Sequence, residues 1–342
     1  MPTAPSRFRL RWQALVVAAL TATLVWLFLR SVPLDQLGRA LLRAHPWLVV
    51  AAVVVTFQTY LIRARRWQSL LAPIGPTAFR TAFRTTVIGF AVSFLVPRAG
   101  EVVRPYLLAR QEKLPASATF ATIIVERLLD LVTVLLLFAA SLLVIDIDVG
   151  PEVRTSGLLA AVSAVVALVV LFVSAGHPER LAGWTARLVR WLPGRVGGAL
   201  SGLVRTFAEG LAVMRQPAHL ARAMVWSIPL WLSLALGIWL TSLAFDLTFS
   251  FPATFLIMLI LVVGVAVPTP GNVGAFHLAY FWAVTRFFSF DEEAVAAAGI
   301  VLHGISFLPV TFVGLLLMWQ DGLTPGRLRG LEAEARRAGG KA

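Results

Sequence analysis

Residues Phe94–Pro105 read FLVPRAGEVVRP, and residues Val265–Phe276 read VAVPTPGNVGAF. Both contain V-P-x-x-G-x-V after a short apolar run, and they lie 171 positions apart. Proline and glycine at these points end helices rather than continue them. The chain around the two breaks is built for a membrane. Of its 342 residues 58% are hydrophobic and 14% charged, with a mean hydropathy of +0.83. A soluble domain carries about a quarter charged residues. Apolar stretches run over Trp12–Leu29, Pro46–Ile62, Ser117–Ile145, Gly157–Ala175, Ala223–Phe245 and Ala294–Trp319. Each is close to or above the roughly 20 residues that cross a bilayer. The fold class read from this is an all-α polytopic membrane protein with about six full spans.

The distribution of arginine predicts the topology. Short cytoplasmic loops are enriched in Lys and Arg. Arg7, Arg9 and Arg11 precede the first span, and RARRW (Arg63, Arg65, Arg66) follows the second. Seven arginines against two glutamates lie in Gly176–Arg222, and the tail ends in Arg327, Arg329, Arg336, Arg337 and Lys341. IDIDVGPE and SFDEEA are acidic. Both termini are therefore expected in the cytoplasm, with the acidic loops outside. On that assignment Thr85–Pro97 and Glu101–Arg110 are too short to span singly and form a re-entrant hairpin tipped by PRAG. Ala253–Pro268 and Asn272–Phe288 form a second hairpin, entering from the opposite face. Each half reads span, hairpin, span, in inverted orientation. Broken segments at matching places in inverted halves point to a transporter's midplane site.

The expected organisation is an N-terminal membrane half over 1–175 with its hairpin at 79–110. A cytoplasmic amphipathic linker follows over 176–222, then a C-terminal half over 223–320 with its hairpin at 252–288. A basic tail occupies 321–342. In the linker, LAGWTARLVRWL sets Leu181, Trp184, Leu188 and Trp191 on one face, which suits a helix lying on anionic lipid. The apolar stretch after RFRLR is too long for a signal-peptide core and lacks a small-residue cleavage site, so it is read as an uncleaved helix.

The charges that interrupt the apolar pattern mark candidate site residues. ATIIVERLLDLV places Glu126, Arg127 and Asp130 inside the third span. An uncompensated charge near the bilayer centre costs about 2.5–3.5 kcal/mol or more, so all three must face the bundle or water. Arg127 is expected to reach Asp130 three residues on, and two readings stand side by side: an ion-pair cluster that clamps the first hairpin, and a headgroup or proton site. Arg98, Glu101 and Arg104 surround Gly100 at the first tip. Arginine forks match phosphate oxygens, and glycine lets backbone amides approach an anion. The second tip offers Pro268, Gly271, Asn272 and Gly274, with His277 just beyond and His303 in the last span; two intramembrane histidines suggest a proton role or simple packing.

Several classes are excluded or find no support. There is no cysteine, so no disulfide, thiolate nucleophile or Cys-ligated metal is available. No metal-spaced His/Asp cluster, Walker A, H-E-x-x-H or GxSxG motif is found, so no metal, cofactor or enzymatic activity is expected. The net charge of +13 fits anionic headgroups rather than nucleic acid.

RARRWQSLL, FLVPRAGEVVRPYLL, IIVERLLDLV and VPTPGNVGAFH together resemble the membrane domain of lysylphosphatidylglycerol synthases and the stand-alone flippase-like proteins that share it. The similarity covers about residues 10–320. It implies a bacterial inner-membrane protein that moves lipids between leaflets. The family's P-x-x-G-E-x-x-R and E-R-x-x-D elements fall on Pro97, Arg98, Gly100, Glu101 and Arg104, and on Glu126, Arg127 and Asp130. Pro268, Gly271 and Gly274 match the second tip. Such proteins often carry Gly-Gly and a glutamate where this chain has Gly271-Asn272 and His277. No synthase domain is seen before the Arg-rich tail, so lysyl transfer is not expected. The expected function is translocation of a phosphate-bearing lipid, aminoacylated or polyprenyl, with membrane lipids as partners and a homodimer left open. The alternatives are a secondary transporter of a soluble organic anion and a membrane enzyme acting on a lipid phosphate.

Overall fold

The computed structural model describes residues 42–145, 150–176 and 217–323, with positions 23 and 26. The expected first span apart from positions 23 and 26, the linker up to residue 216 and the basic tail beyond residue 323 lie outside the described residues. All regular structure among the described residues is helical: α1 (Pro46–Leu71), α2 (Phe79–Leu95), α3 (Gly100–Glu112), α4 (Ala116–Ser141), α5 (Gly150–Gly176), α6 (Pro217–Leu243), α7 (Ala253–Ala266), α8 (Ala275–Phe287) and α9 (Glu292–Gln320). A single 3-10 turn, Pro270–Asn272, stands between α7 and α8.

Three described helices, Pro46–Leu71, Ala218–Leu243 and Glu292–Gln320, are long and apolar enough to cross a membrane. α1 alone extends about 39 Å at 1.5 Å per residue. α4 has the same length but carries Glu126, Arg127 and Asp130. Large apolar side chains on the outer faces stay exposed, among them Val54, Val162, Phe312 and Trp319, as expected of surfaces that meet lipid.

The helix boundaries correct two sequence expectations. α1 does not stop at Ile62 but continues through RARRWQSLL to Leu71. Arg, Ala, Gln and Leu are good helix formers, and two of these arginines find anionic partners inside the fold, so nothing drives them into a loop. Arg63, Arg65 and Arg66 therefore do not count as loop cations. Residues 217–222, expected in the linker, form the first turns of α6.

The chain folds as two units with matching packing. α1, α2, α3 and α4 form the first, and α6, α7, α8 and α9 the second. α6 begins 171 positions after α1, and α7, α8 and α9 begin 174, 175 and 176 positions after α2, α3 and α4. The offset between the two tip motifs is thus kept to within five positions along the described helices of each unit. The packing partners exchange in the same way. α2 packs on α3 and on α9, while α7 packs on α8 and on α4. α3 lies against α4, and α8 against α9. The equivalent helices α1 and α6 pack on each other and run antiparallel. The His45 amide donates to the Ala244 carbonyl at 2.8 Å, Thr59 Oγ1 meets Ser233 Oγ at 2.8 Å, and Arg66 Nη1 donates to Ser227 Oγ at 3.2 Å. Residue numbers rise on one helix as they fall on the other, so the two units are inverted relative to each other.

The arms of each broken segment pack through small residues. A side chain on Gly100 would overlap the Gly89 carbonyl, so the backbones of α2 and α3 touch there. A side chain on Gly264 would overlap Ala279 across the α7–α8 pair.

Candidate functional site

Antiparallel packing brings the two breaks together at the centre. Tip 1 turns through Arg98, whose φ of 63° lies in the left-handed region. Its guanidinium Nη2 donates to the Ala266 carbonyl at the end of α7, at 3.2 Å. Tip 2 turns through Gly271 and Asn272, both left-handed, with φ of 63° and 55°. Glycine suits this position twice over, since it also lies against the ring of Phe94 from α2. The Gly271 carbonyl accepts a hydrogen bond from His303 Nε2 at 2.7 Å, and the Gly274 amide donates to His277 Nδ1 at 3.3 Å. The two imidazoles lie 4.6 Å apart, centre to centre. Both histidines are buried and brace the backbone of tip 2 from behind.

Between the tips and the helices lies a half-open cavity of about 650 Å³. Of the residues singled out from sequence, Pro97, Arg98, Gly100, Glu101, Arg104, Arg127, Pro268 and Asn272 line it. Glu126 and Asp130 stand behind that wall, and Gly271, Gly274, His277 and His303 form the support of tip 2. The Gly100 amide is not offered to the cavity: it donates to Ser93 Oγ at 3.0 Å, and the glycine serves the close contact with Gly89.

One end of the cavity is strongly cationic. Glu126 Oε1 faces Arg104 Nη1 at 3.0 Å, Arg66 Nη2 at 3.2 Å, Arg127 Nη2 at 3.3 Å and Arg63 Nη1 at 3.8 Å. Asp130 Oδ1 accepts from Arg66 Nη1 at 2.5 Å and from Trp231 Nε1 at 3.1 Å, and Asp130 Oδ2 lies 3.5 Å from Arg127 Nη1. Glu126 and Arg66 are fully buried. Charges removed from water persist only when paired. Aromatic faces fix two of the cations: the Arg104 guanidinium lies 3.8 Å over the Trp67 ring, and that of Arg63 lies 4.7 Å over Phe90. Trp67 is itself held by a hydrogen bond from Nε1 to Thr122 Oγ1 at 3.0 Å.

The expected link from Arg127 to Asp130 is present, and the same cluster takes in Arg104 from the first tip. Arg63 and Arg66 were missed as site residues because they were counted as loop cations. Their spacing held a signal: Arg63, Arg66 and Trp67 fall on one face of a helix that continues an apolar span, with Arg65 turned away. Most of the remaining wall is apolar, with Met258, Leu261, Val262, Phe276, Leu302 and Ile305, and the hydroxyl residues Thr56, Thr59, Ser93, Ser233, Ser306 and Thr311 lie among them.

Residues 12–314 match the family described as the lysylphosphatidylglycerol synthase TM region. A UPF0104 membrane protein of Methanothermobacter thermautotrophicus is 27% identical over 301 residues, covering 82% of this chain and 87% of that protein. A UPF0104 membrane protein of Methanocaldococcus jannaschii is 29% identical over 101 residues, 28% of this chain and 30% of the relative. The glycosyltransferase AglD of Haloferax volcanii is 30% identical over 133 residues, 37% of this chain but 21% of its own length.

Proposed function

This chain belongs to the lysylphosphatidylglycerol synthase transmembrane-region family, and from that membership and the cavity between its broken segments we propose that it moves a phosphate-bearing lipid between leaflets. The observation that carries the proposal is the cavity's division into a guanidinium-rich part and a mostly apolar remainder. A lipid phosphate binds the cationic end through charge-assisted hydrogen bonds from Arg98, Arg104, Arg127 and Arg63. The chains lie along the apolar wall or stay in the bilayer. Glu126 and Asp130 hold the arginines in position and compete with the phosphate for them, so the headgroup is held without being trapped. The two inverted units rock about the α1–α6 contact and expose the cavity to either side in turn. The reaction is transport without chemistry, driven by an ion gradient or the lipid's own gradient. The finer location proposed is a bacterial cytoplasmic membrane with both termini inside, supported by the arginine-rich end segments.

Leaflet exchange of fluorescent anionic phospholipids in proteoliposomes tests the proposal. Wild-type protein should accelerate exchange, and Arg104→Ala and Arg127→Ala proteins of unchanged fold should lose at least tenfold of that rate. Full activity in both variants would remove the site assignment. A second reading, chemistry on a lipid phosphate, draws on the partial likeness to the glycosyltransferase AglD. It requires a change in the mass of the recovered lipid, where transport leaves the lipid unaltered.

A further inference from the structure

The charges around the cavity do not balance. Among the described residues, Arg63, Arg66, Arg98, Arg104 and Arg127 line it or stand directly behind its wall, against Glu101, Glu126 and Asp130. Five guanidiniums against three carboxylates leave two positive charges. Arg63, Arg66, Arg104 and Arg127 share two buried carboxylates, while at the rim Glu101 acts on Arg127 and Arg98 donates to the Ala266 carbonyl. Glu126 Oε1 alone serves all four inner arginines, and Arg63 lies beyond hydrogen-bond distance from it at 3.8 Å. Hydrogen bonds are also left unmade: no described residue bonds Arg104 Nε and Nη2, Arg66 Nε and Nη2 or Arg63 Nε, five donors against two unbonded carboxylate oxygens, Glu126 Oε2 and Asp130 Oδ2. Buried guanidinium N–H groups are costly without acceptors. Two of these side chains line the cavity, and each is stacked on an aromatic ring, Arg104 on Trp67 and Arg63 on Phe90.

We infer that this site selects a headgroup carrying two negative charges, a phosphomonoester or a diphosphate, over a singly charged phosphodiester and over a net-cationic aminoacylated headgroup. A phosphomonoester carries about −1.5 to −2 at neutral pH and three strong acceptor oxygens. Its charge matches the two excess positive charges. A phosphodiester supplies one charge and leaves the second buried and unpaired. A lysyl ester adds ammonium groups to a region already in cationic excess, which is repulsive. That the ligand is a lipid rests on the proposed translocator function; the charge preference stands on the residues alone.

The test uses the full chain in neutral phosphatidylcholine nanodiscs carrying a fluorescent phosphatidic acid. Unlabelled phosphatidic acid, phosphatidylglycerol, lysyl-phosphatidylglycerol and soluble glycerol 3-phosphate compete in turn. Phosphatidic acid should displace the probe at a concentration at least tenfold below phosphatidylglycerol, and lysyl-phosphatidylglycerol should not displace it. Arg63→Gln should bring the first ratio within about twofold, and Arg127→Gln, on a half-exposed side chain, serves if Arg63→Gln does not fold. Equal displacement by phosphatidic acid and phosphatidylglycerol, preference for the lysyl lipid, or failure of the probe to bind saturably overturns the inference. Glycerol 3-phosphate competing as well as phosphatidic acid upholds the dianion preference and overturns the lipid-translocator reading.

Discussion

Glu126 faces four arginines through one oxygen, and no other carboxylate among the described residues is so surrounded. Removing its charge leaves Arg66, with no exposed surface, dependent on Asp130 alone. Breaking a buried ion pair on one side costs about 3–5 kcal/mol, because the remaining charge stays desolvated. Glu126→Gln should therefore lower the melting temperature of the purified protein in detergent far more than Glu101→Gln at the exposed rim. Two arginines a single turn apart should separate by role. Arg66 contacts both carboxylates and Ser227 and does not line the cavity, so Arg66→Gln should act mainly on thermal stability. Arg63 lines the cavity with only a long ion pair, so Arg63→Gln should act mainly on lipid exchange. A large stability loss in Arg63→Gln with unchanged exchange would reverse that assignment.

At the scale of elements, the hairpin arms and the α2–α9 crossing depend on missing side chains. Gly100 and Gly89 let α2 and α3 touch, and Gly314 lets α9 approach Ala91 and Val87 of α2. Overpacking a tight contact costs about 1–3 kcal/mol. Gly100→Val should lower thermal stability by that amount and displace Arg104 from Glu126. Gly304 is the comparison: a methyl there meets only Leu308 Cδ1, at 3.9 Å. Within a helix, Gly→Ala gains about 0.5–1 kcal/mol, so Gly304→Ala should leave stability equal or higher. A matched loss in both variants would place the cause in the glycines' backbone rather than in contact distance.

At the scale of the molecule, the two units are inverted and their tips are joined by the Arg98–Ala266 hydrogen bond. If transport requires the tips to separate, a covalent link between them stops it. The chain has no cysteine, so an Arg98→Cys, Ala266→Cys pair can be joined by a short reducible cross-linker without side reactions. Exchange should fall to the protein-free rate when linked and return to the unlinked variant's own rate on reduction. Unchanged exchange in the linked protein would mean that lipid passes without separation of the tips.

Composition and pattern were enough for the all-helical membrane class, for both breaks and for the link between Arg127 and Asp130. Those depend on local chemistry: proline and glycine end helices wherever they occur, and intramembrane charges must be paired. The 171-residue spacing of the tips was legible for the same reason, since one backbone break needs the same residues in each unit. The place of Arg63 and Arg66 was not legible, because an arginine beside an apolar run reads equally as a loop cation and as a buried partner. Only the packing of α1 against α4 and α6 brings them to Glu126 and Asp130, 60 or more positions away. The role of Gly100 was decided in the same way, by the approach of Gly89 from the other arm. Sequence determines which groups need partners, and tertiary structure decides which partners they receive, because pairing in a low-dielectric interior depends on distance in space rather than along the chain.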